Sequence, residues 1–537
     1  MLRVARPKGY VRLRARMNSQ EEALMSTRTP SIERPAAGVA IPPTQLKRGA
    51  LKLLDTVVIA VSSTAPAYSV ATALGSLALA VALGAPAAIW VGFIPVLGIA
   101  VAYYYLNRVD PNCGASYSWV GKFLNPGLGF FSGWVAIVAS LLFLSFASPQ
   151  AGQATLQLIN ATGLTGIGPL NIDANSAASA GAAMVVGLLW LAFVTYMVMV
   201  GIRVAARFQY ILLGLEYFIV LGFAIAGYFH GGGSTFSLSW LDPRTFGSVG
   251  ALAAGVVVSV FFYWGWDTAA NINEETTNSR ENPGRAGILG MFALLFIFLV
   301  AAISIQMVLT PQEIQDNSAT TLTAFASKLV GQPLAALAIL AFLSSTVATV
   351  QTTLLPSART AYSMGRDGVL GPIWARVHPR WQTPAIGTLI LALIAGAVAV
   401  LSMAIGGLNA VVNAGVTSLG ILVAVYYGLA AIACTVYYRR ALPHNIKGLI
   451  FAGIFPLLSA AFLFVLAGYL IVTDWTSSDS FAIDASNGKF LVIVPIAVML
   501  LGVVALVYSR VRRHSPFYRM ARESAPPDAF TRPVVES

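Results

Sequence analysis

The stretch Val256–Arg285, VVVSVFFYWGWDTAANINEETTNSRENPGR, carries an apolar run of membrane length that breaks at Tyr263-Trp264-Gly265-Trp266-Asp267 and leaves through an acidic exit at Glu274 and Glu275. At membrane depth, irregular backbone and a carboxylate are tolerated only where protein or a watery cavity surrounds them. The break is therefore read as a binding site.

Composition agrees with that setting. Of 537 residues, 57% are hydrophobic and 10% charged, far from soluble globular usage. Crossing about 30 Å of hydrocarbon takes roughly 20 helical residues. Twelve runs reach that length, the first centred near Val61, the sixth near Val260 and the last near Val498. The chain is read as an all-α polytopic membrane protein with twelve transmembrane helices. Cys113 and Cys434 fall in or beside expected cytoplasmic segments, so no disulfide framework is indicated.

Orientation follows from the 33 Lys and Arg residues. With a cytoplasmic N-terminus, all but Arg244, Lys328 and Lys489 lie inside, and the opposite topology inverts that ratio. Both termini are expected to be cytoplasmic, with the chain in a plasma membrane (the inner membrane of a bacterium). The net charge of +12 then reflects topology and attraction to anionic lipid; no nucleic-acid partner is expected. Residues 1–50 carry six basic residues within their first 16 positions and lack an apolar signal core. They read as a disordered tail, or in part as a start displaced to Met17 or Met25, and residues 513–537 read as a second disordered tail.

A second interruption stands in the first run, at Ser62-Ser63-Thr64-Ala65-Pro66. Pro66 donates no backbone hydrogen bond, and the neighbouring hydroxyls can repair the freed carbonyls. Interrupted helices at corresponding positions mark a transporter built from two inverted repeats. Runs one and six each open a set of five, which places the repeat in residues 51–440 and leaves two further helices in 441–512.

Three motifs complete the reading. Phe261-Phe262-Tyr263-Trp264-Gly265-Trp266-Asp267 continues to Glu274-Glu275 and Asn282-Pro283-Gly284-Arg285; Ser357-Ala358-Arg359 continues to Tyr362-Ser363-Met364-Gly365-Arg366-Asp367-Gly368 and His378-Pro379-Arg380; Pro111-Asn112-Cys113-Gly114-Ala115-Ser116-Tyr117 precedes Gly129-Phe130-Phe131-Ser132-Gly133-Trp134. Over residues 50 to 440 the chain resembles the amino acid-polyamine-organocation (APC) superfamily of permeases. The resemblance implies a LeuT-type fold of 5+5 inverted repeats and secondary transport of amino acids, polyamines or related cations. It places substrate at Ser62, Ser63, Thr64, Ala65, Phe262, Tyr263, Trp264, Gly265 and Trp266. Family members commonly unwind the first helix with a Gly-x-Gly segment whose amides hold a substrate carboxylate. Ser63-Thr64-Ala65-Pro66 replaces it here, so an amine without a carboxylate stays open as cargo.

Glu216 lies mid-way along run five, where a carboxylate costs roughly 2.5–3.5 kcal/mol on insertion scales. Proton or cation coupling is the preferred role, ahead of a structural hydrogen bond or direct recognition of a substrate amine. Ser345 and Thr346, in a hydroxyl-rich run with Ser344, Thr349, Thr352 and Thr353, are the candidates for sodium instead; a proton is preferred, with no other cofactor and no metal. Pro66 and Asp267 are read as structural, Asp267 capping the half-helix after the break. Glu274 and Glu275 are read as a latch to Arg280, Arg285 or the Arg359–Arg380 loop. The aromatic residues Tyr263, Trp264 and Trp266 suit a gate or a cation-π wall. The four histidines sit at run ends or in loops, supporting neither a haem site nor a proton relay. A membrane enzyme would need polar catalytic clusters near a membrane face, and a permease-derived sensor is the remaining alternative class. A monomer or homodimer is expected.

Overall fold

The computed structural model describes residues 45–530 apart from Gly168, Pro169, Asn175, Ala177, Ala178 and Ala319. The reading of the N-terminal tail lies outside the described residues as far as residue 44. Helix α1 (Leu53–Ser63) stops, Thr64 and Ala65 intervene, and α2 (Pro66–Val81) resumes. Pro66 occupies the first turn of α2, where its missing amide costs nothing. Ala65 takes a left-handed backbone, φ 51°, which costs an alanine roughly 1–2 kcal/mol. The chain continues through α3 (Ala85–Val109), α4 (Ser116–Phe123), α5 (Pro126–Asn160), α6 (Ala180–Val200) and α7 (Ile202–His230).

The sixth run is split as well. Helix α8 (Val249–Phe261) ends in an irregular turn and α9 (Thr268–Asn271) follows. After it come α10 (Asn282–Val308), α11 (Pro311–Asp316), α12 (Thr321–Leu329), α13 (Leu337–Arg366), α14 (Ala385–Ser402), α15 (Leu408–Tyr438), α16 (Phe455–Thr476) and α17 (Gly488–Arg513). The described structure is helical apart from a hairpin pairing Gly166–Ile167 with Leu170–Asn171.

Ten stretches among the described residues are long and apolar enough to cross a membrane, where twelve were expected. Each shortfall has a cause. Leu53–Val109 counts once although its regular helix gives way at Ala82–Gly84, and the helix split at Gly265 leaves only the short apolar piece Gly250–Val260.

Helix α3 packs along α10, α5 along α13 and α6 along α14, while α1 touches α9. These contacts match elements of the first five-run set to their counterparts in the second, as a pseudo-two-fold relation between repeats would do. The arrangement is consistent with a LeuT-type fold. Burial ranks the helices: the span ending at Arg366 has 72% of its most apolar window buried, against 17% for α17. The first is central and rich in hydroxyls; α16 and α17 expose Leu458, Val465, Leu500 and Val504, a surface suited to lipid.

The C-terminal segment, expected to be a disordered tail, is laid against the helix ends as far as Phe530. Phe517 stacks on Tyr117 at 4.9 Å, the Arg522 Nε donates to the Phe123 carbonyl at 2.9 Å, and Phe530 stacks on Tyr438 at 4.9 Å. Its three aromatic residues, Phe517, Tyr518 and Phe530, supply contacts that the Arg- and Pro-rich composition obscured.

Candidate substrate site

The two helix breaks meet. Gly265 has φ 115°, a region that favours glycine, and a Cβ placed on it would lie 2.4 Å from the Ser63 carbonyl oxygen. Hydroxyls bind the junction: Ser63 Oγ and Thr268 Oγ1 are 2.9 Å apart, and Thr349 Oγ1 donates to the Ser62 carbonyl at 2.9 Å. The Ser62 carbonyl at the end of α1 thus accepts from a side chain of α13 as well as from the Ala65 amide, as membrane burial demands.

Beside this junction lies a cavity of about 30 Å³, room for ordered water rather than for an amino acid. Ser63, Trp264, Gly265 and Asp267 come to it from the breaks, Tyr103 from α3, Ser140 from α5, Asn271 from α9, Thr353, Ser357 and Thr360 from α13 and Tyr426 from α15. Its lining holds one carboxylate, that of Asp267, and no Lys, Arg or His. Aromatic rings, hydroxyls and a single acid favour a cation.

The anticipated residues separate into two groups. Of the nine placed at the substrate, Ser63, Trp264 and Gly265 line the cavity. Phe262 packs edge-on against Phe298, Tyr263 donates to the Ile89 carbonyl at 3.0 Å, and Trp266 packs on Tyr103 and Tyr427. Thr64 bonds back to the Ala60 carbonyl, and Ala65 supplies the bend. Ser62 contributes its carbonyl, while its buried hydroxyl has no hydrogen-bond partner among the described residues.

Asp267 does not cap α9: its side chain makes no capping bond and instead accepts from Tyr427 at 2.8 Å and Tyr426 at 3.3 Å. Both tyrosines come from α15 and were not anticipated. Their only sequence signal is an adjacent Tyr-Tyr inside an apolar run.

Glu216 is fully buried and does not line the cavity. Its Oε1 accepts from the Ala67 amide at 2.5 Å and from Ser345 Oγ at 2.9 Å, and Ser345 Oγ also accepts from the Tyr68 amide at 3.2 Å. The start of α2 is therefore held by a carboxylate from α7 and a hydroxyl from α13. Oε2 has no partner among the described residues. Thr346, by contrast, bonds its own helix at the Phe342 carbonyl; the α13 hydroxyl that reaches the first break is that of Thr349.

On the side carrying the arginine loops, Glu275 pairs with Arg359 and Glu274 with Arg366. The Cys113 amide donates to Glu274 at 3.0 Å, and Asn271 reaches the Cys113 carbonyl at 3.0 Å. Burial works to raise the Glu274 pKa, but bonds and charge from Arg366, with the Cys113 amide, outweigh it and hold the group below its ordinary value. Arg280 and Arg285, the other expected partners, are engaged elsewhere: Arg280 donates to the Arg108 and Val109 carbonyls and Arg285 pairs with Glu281. The paired Glu274 and Glu275 join the exit from the sixth run to α13.

Apolar helices surrounding opposed breaks and a polar cavity define a multi-pass membrane protein of the permease type. The chain belongs to the amino acid permease family, whose sequence model matches residues 51–501. It is 27% identical over 325 residues to the methylthioribose transporter of Bacillus subtilis (strain 168), covering 59% of this chain and 68% of that protein. It is 27% identical over 355 residues to the Asc-type amino acid transporter 1 of Mus musculus, 62% of each chain, and 25% identical over 318 residues to the low-affinity putrescine importer of Escherichia coli (strain K12), 58% of this chain and 66% of that one. The relatives are transporters rather than enzymes.

Proposed function

We propose that the chain is a secondary active carrier of amino acids or related organic amines, working by alternating access and driven by protons. One observation carries the reading: the Ser63–Gly265 junction borders a polar cavity lined by α13, and the Glu275–Arg359 and Glu274–Arg366 pairs tie that helix to the exit from the sixth run on one side. Breaking those pairs would open that side. The excess of Lys and Arg on that side supports reading it as the cytoplasmic one, with both termini there and the chain in a plasma membrane. For coupling, Glu216 joins α7 to the start of α2 and to α13, so gain or loss of its charge would change how the broken helix is held. The amino acid and putrescine carriers among the relatives bracket the cargo class.

Uptake by the purified chain in proteoliposomes tests this. Accumulation under an inward proton gradient, abolished by a protonophore and indifferent to sodium, is the expected result. Accumulation that requires sodium and ignores the proton gradient would move coupling to Thr349 and the Ser62 carbonyl.

A further inference from the structure

Half-helix N-termini inside membranes present free amides and a positive dipole end to anions, and carriers use them to hold carboxylates. At the start of α2 none of these donors is free. Pro66 has no amide; Ala67 donates to Glu216 and Tyr68 to Ser345; the Thr64, Ala65 and Ser69 amides are taken by the Val61, Ser62 and Ala65 carbonyls. The carboxyl oxygen at this site belongs to the protein.

We propose that Glu216 is a built-in substitute for a cargo carboxylate, making it a specificity-determining residue that selects organic amines lacking a carboxylate over the parent amino acids. This rests on the carrier reading above. An α-amino acid offering its carboxylate to α2 finds the Ala67 amide and the Ser345 hydroxyl already taken by the Glu216 side chain, so its own charge is left unpaired in a buried site. It cannot move instead to the cavity, because the acid there is Asp267 and no cationic side chain lines the wall. An ammonium group suits both features. It finds Asp267 among the rings of Trp264, Tyr103 and Tyr426, and it makes no demand on the start of α2. Ser345 is a positioning residue: its hydroxyl donates to Glu216 and receives the Tyr68 amide, keeping the carboxylate against the helix end.

The test uses cargo pairs that differ only by the carboxylate: putrescine and ornithine, cadaverine and lysine, phenethylamine and phenylalanine. Initial uptake into proteoliposomes containing the full wild-type chain is measured for both members of each pair under proton and under sodium gradients, and exchange, which needs no coupling, is measured for wild type and variants. The wild-type chain is expected to favour the decarboxylated member by about tenfold or more, the scale of one lost ionic contact. Glu216→Ala is expected to shrink that ratio several-fold by gaining the amino acid. Glu216→Ser, too short to reach the Ala67 amide, serves as the second variant should the alanine form fail to fold, and should also shrink the ratio. Equal handling of both members by the wild type, preference for the amino acid, or a ratio unchanged in the variants overturns the assignment of Glu216 while leaving the carrier reading intact. Uptake of no member under either gradient overturns the carrier reading and this inference with it.

Discussion

Arg359 and Glu275 form an ion pair with no exposed surface on either side chain, the guanidinium Nε donating to Oε2 at 2.8 Å and Nη2 to Oε1 at 3.1 Å. The pair joins α13 to the exit from the sixth run, while Arg366 and Glu274 form a more exposed pair beside it. Removing one partner of a buried pair strands the other charge, which costs about 3–5 kcal/mol, whereas replacing both with uncharged groups is often close to neutral. Arg359→Met should therefore lower the thermal midpoint of the purified protein clearly, and Arg359→Met with Glu275→Gln should recover most of the loss. A double variant as unstable as the single one would show that the pair acts through shape alone.

The same pair guards Cys113, which is buried with its Sγ on the Arg359 carbonyl. Weakening the latch should admit a membrane-impermeant maleimide from the side that carries the arginine loops. In Arg359→Met, labelling of Cys113 should rise several-fold over wild type, while Cys434, buried against the Ala452 carbonyl, should stay unlabelled. Equal labelling of the two cysteines would indicate general unfolding rather than gate opening.

The pH response of the outer pair follows from Glu274. Its folded-state pKa is depressed, so its contribution to stability is present above the unfolded carboxylate value of about 4.3 and is lost as pH falls through the lower folded value. The Glu274–Arg366 contribution should therefore be constant from about pH 7 down to about pH 5. Measured as the midpoint difference between wild type and Glu274→Gln, it should fall only in stronger acid. A difference that already disappears at mildly acidic pH would show that the pair does not hold Glu274 ionised.

Gly265→Val should abolish uptake while leaving membrane insertion nearly unchanged. A side chain at φ 115° is strained, and its Cβ would collide with the backbone of Ser63. The two breaks would have to separate; a strained backbone of this kind costs about 1–3 kcal/mol before the collision is counted. Normal uptake in this variant would detach the junction from transport.

Coupling is tested at Glu216 with the neutral isostere. Glu216→Gln should lose concentrative uptake under a proton gradient, because a charge that no longer changes cannot link proton movement to the start of α2. Equilibrating exchange should fall by less than about tenfold, since the cavity lining is untouched. Proton-driven accumulation at wild-type levels would reject Glu216 as the coupling group.

Sequence by itself determined the membrane class, the helical architecture and the places where helices one and six stop. Those features are local: a proline without an amide, a glycine that reaches positive φ and an apolar run of spanning length act within a few residues. It also offered the acidic exit Arg280, Arg285 or the arginine loop as partners, and the fold chose Arg359 and Arg366 of the loop. Tertiary structure decided the rest. Which aromatic residue of the break faces the cavity depends on the rotation of one helix against its neighbours, and only Trp264 does, while Phe262, Tyr263 and Trp266 pack elsewhere. Asp267 finds its partner 160 residues away in Tyr427, and Glu216 finds the Ala67 amide 149 residues away. No periodicity or spacing encodes such meetings, because they arise when helices distant in the chain are packed to satisfy the polar groups that the breaks expose.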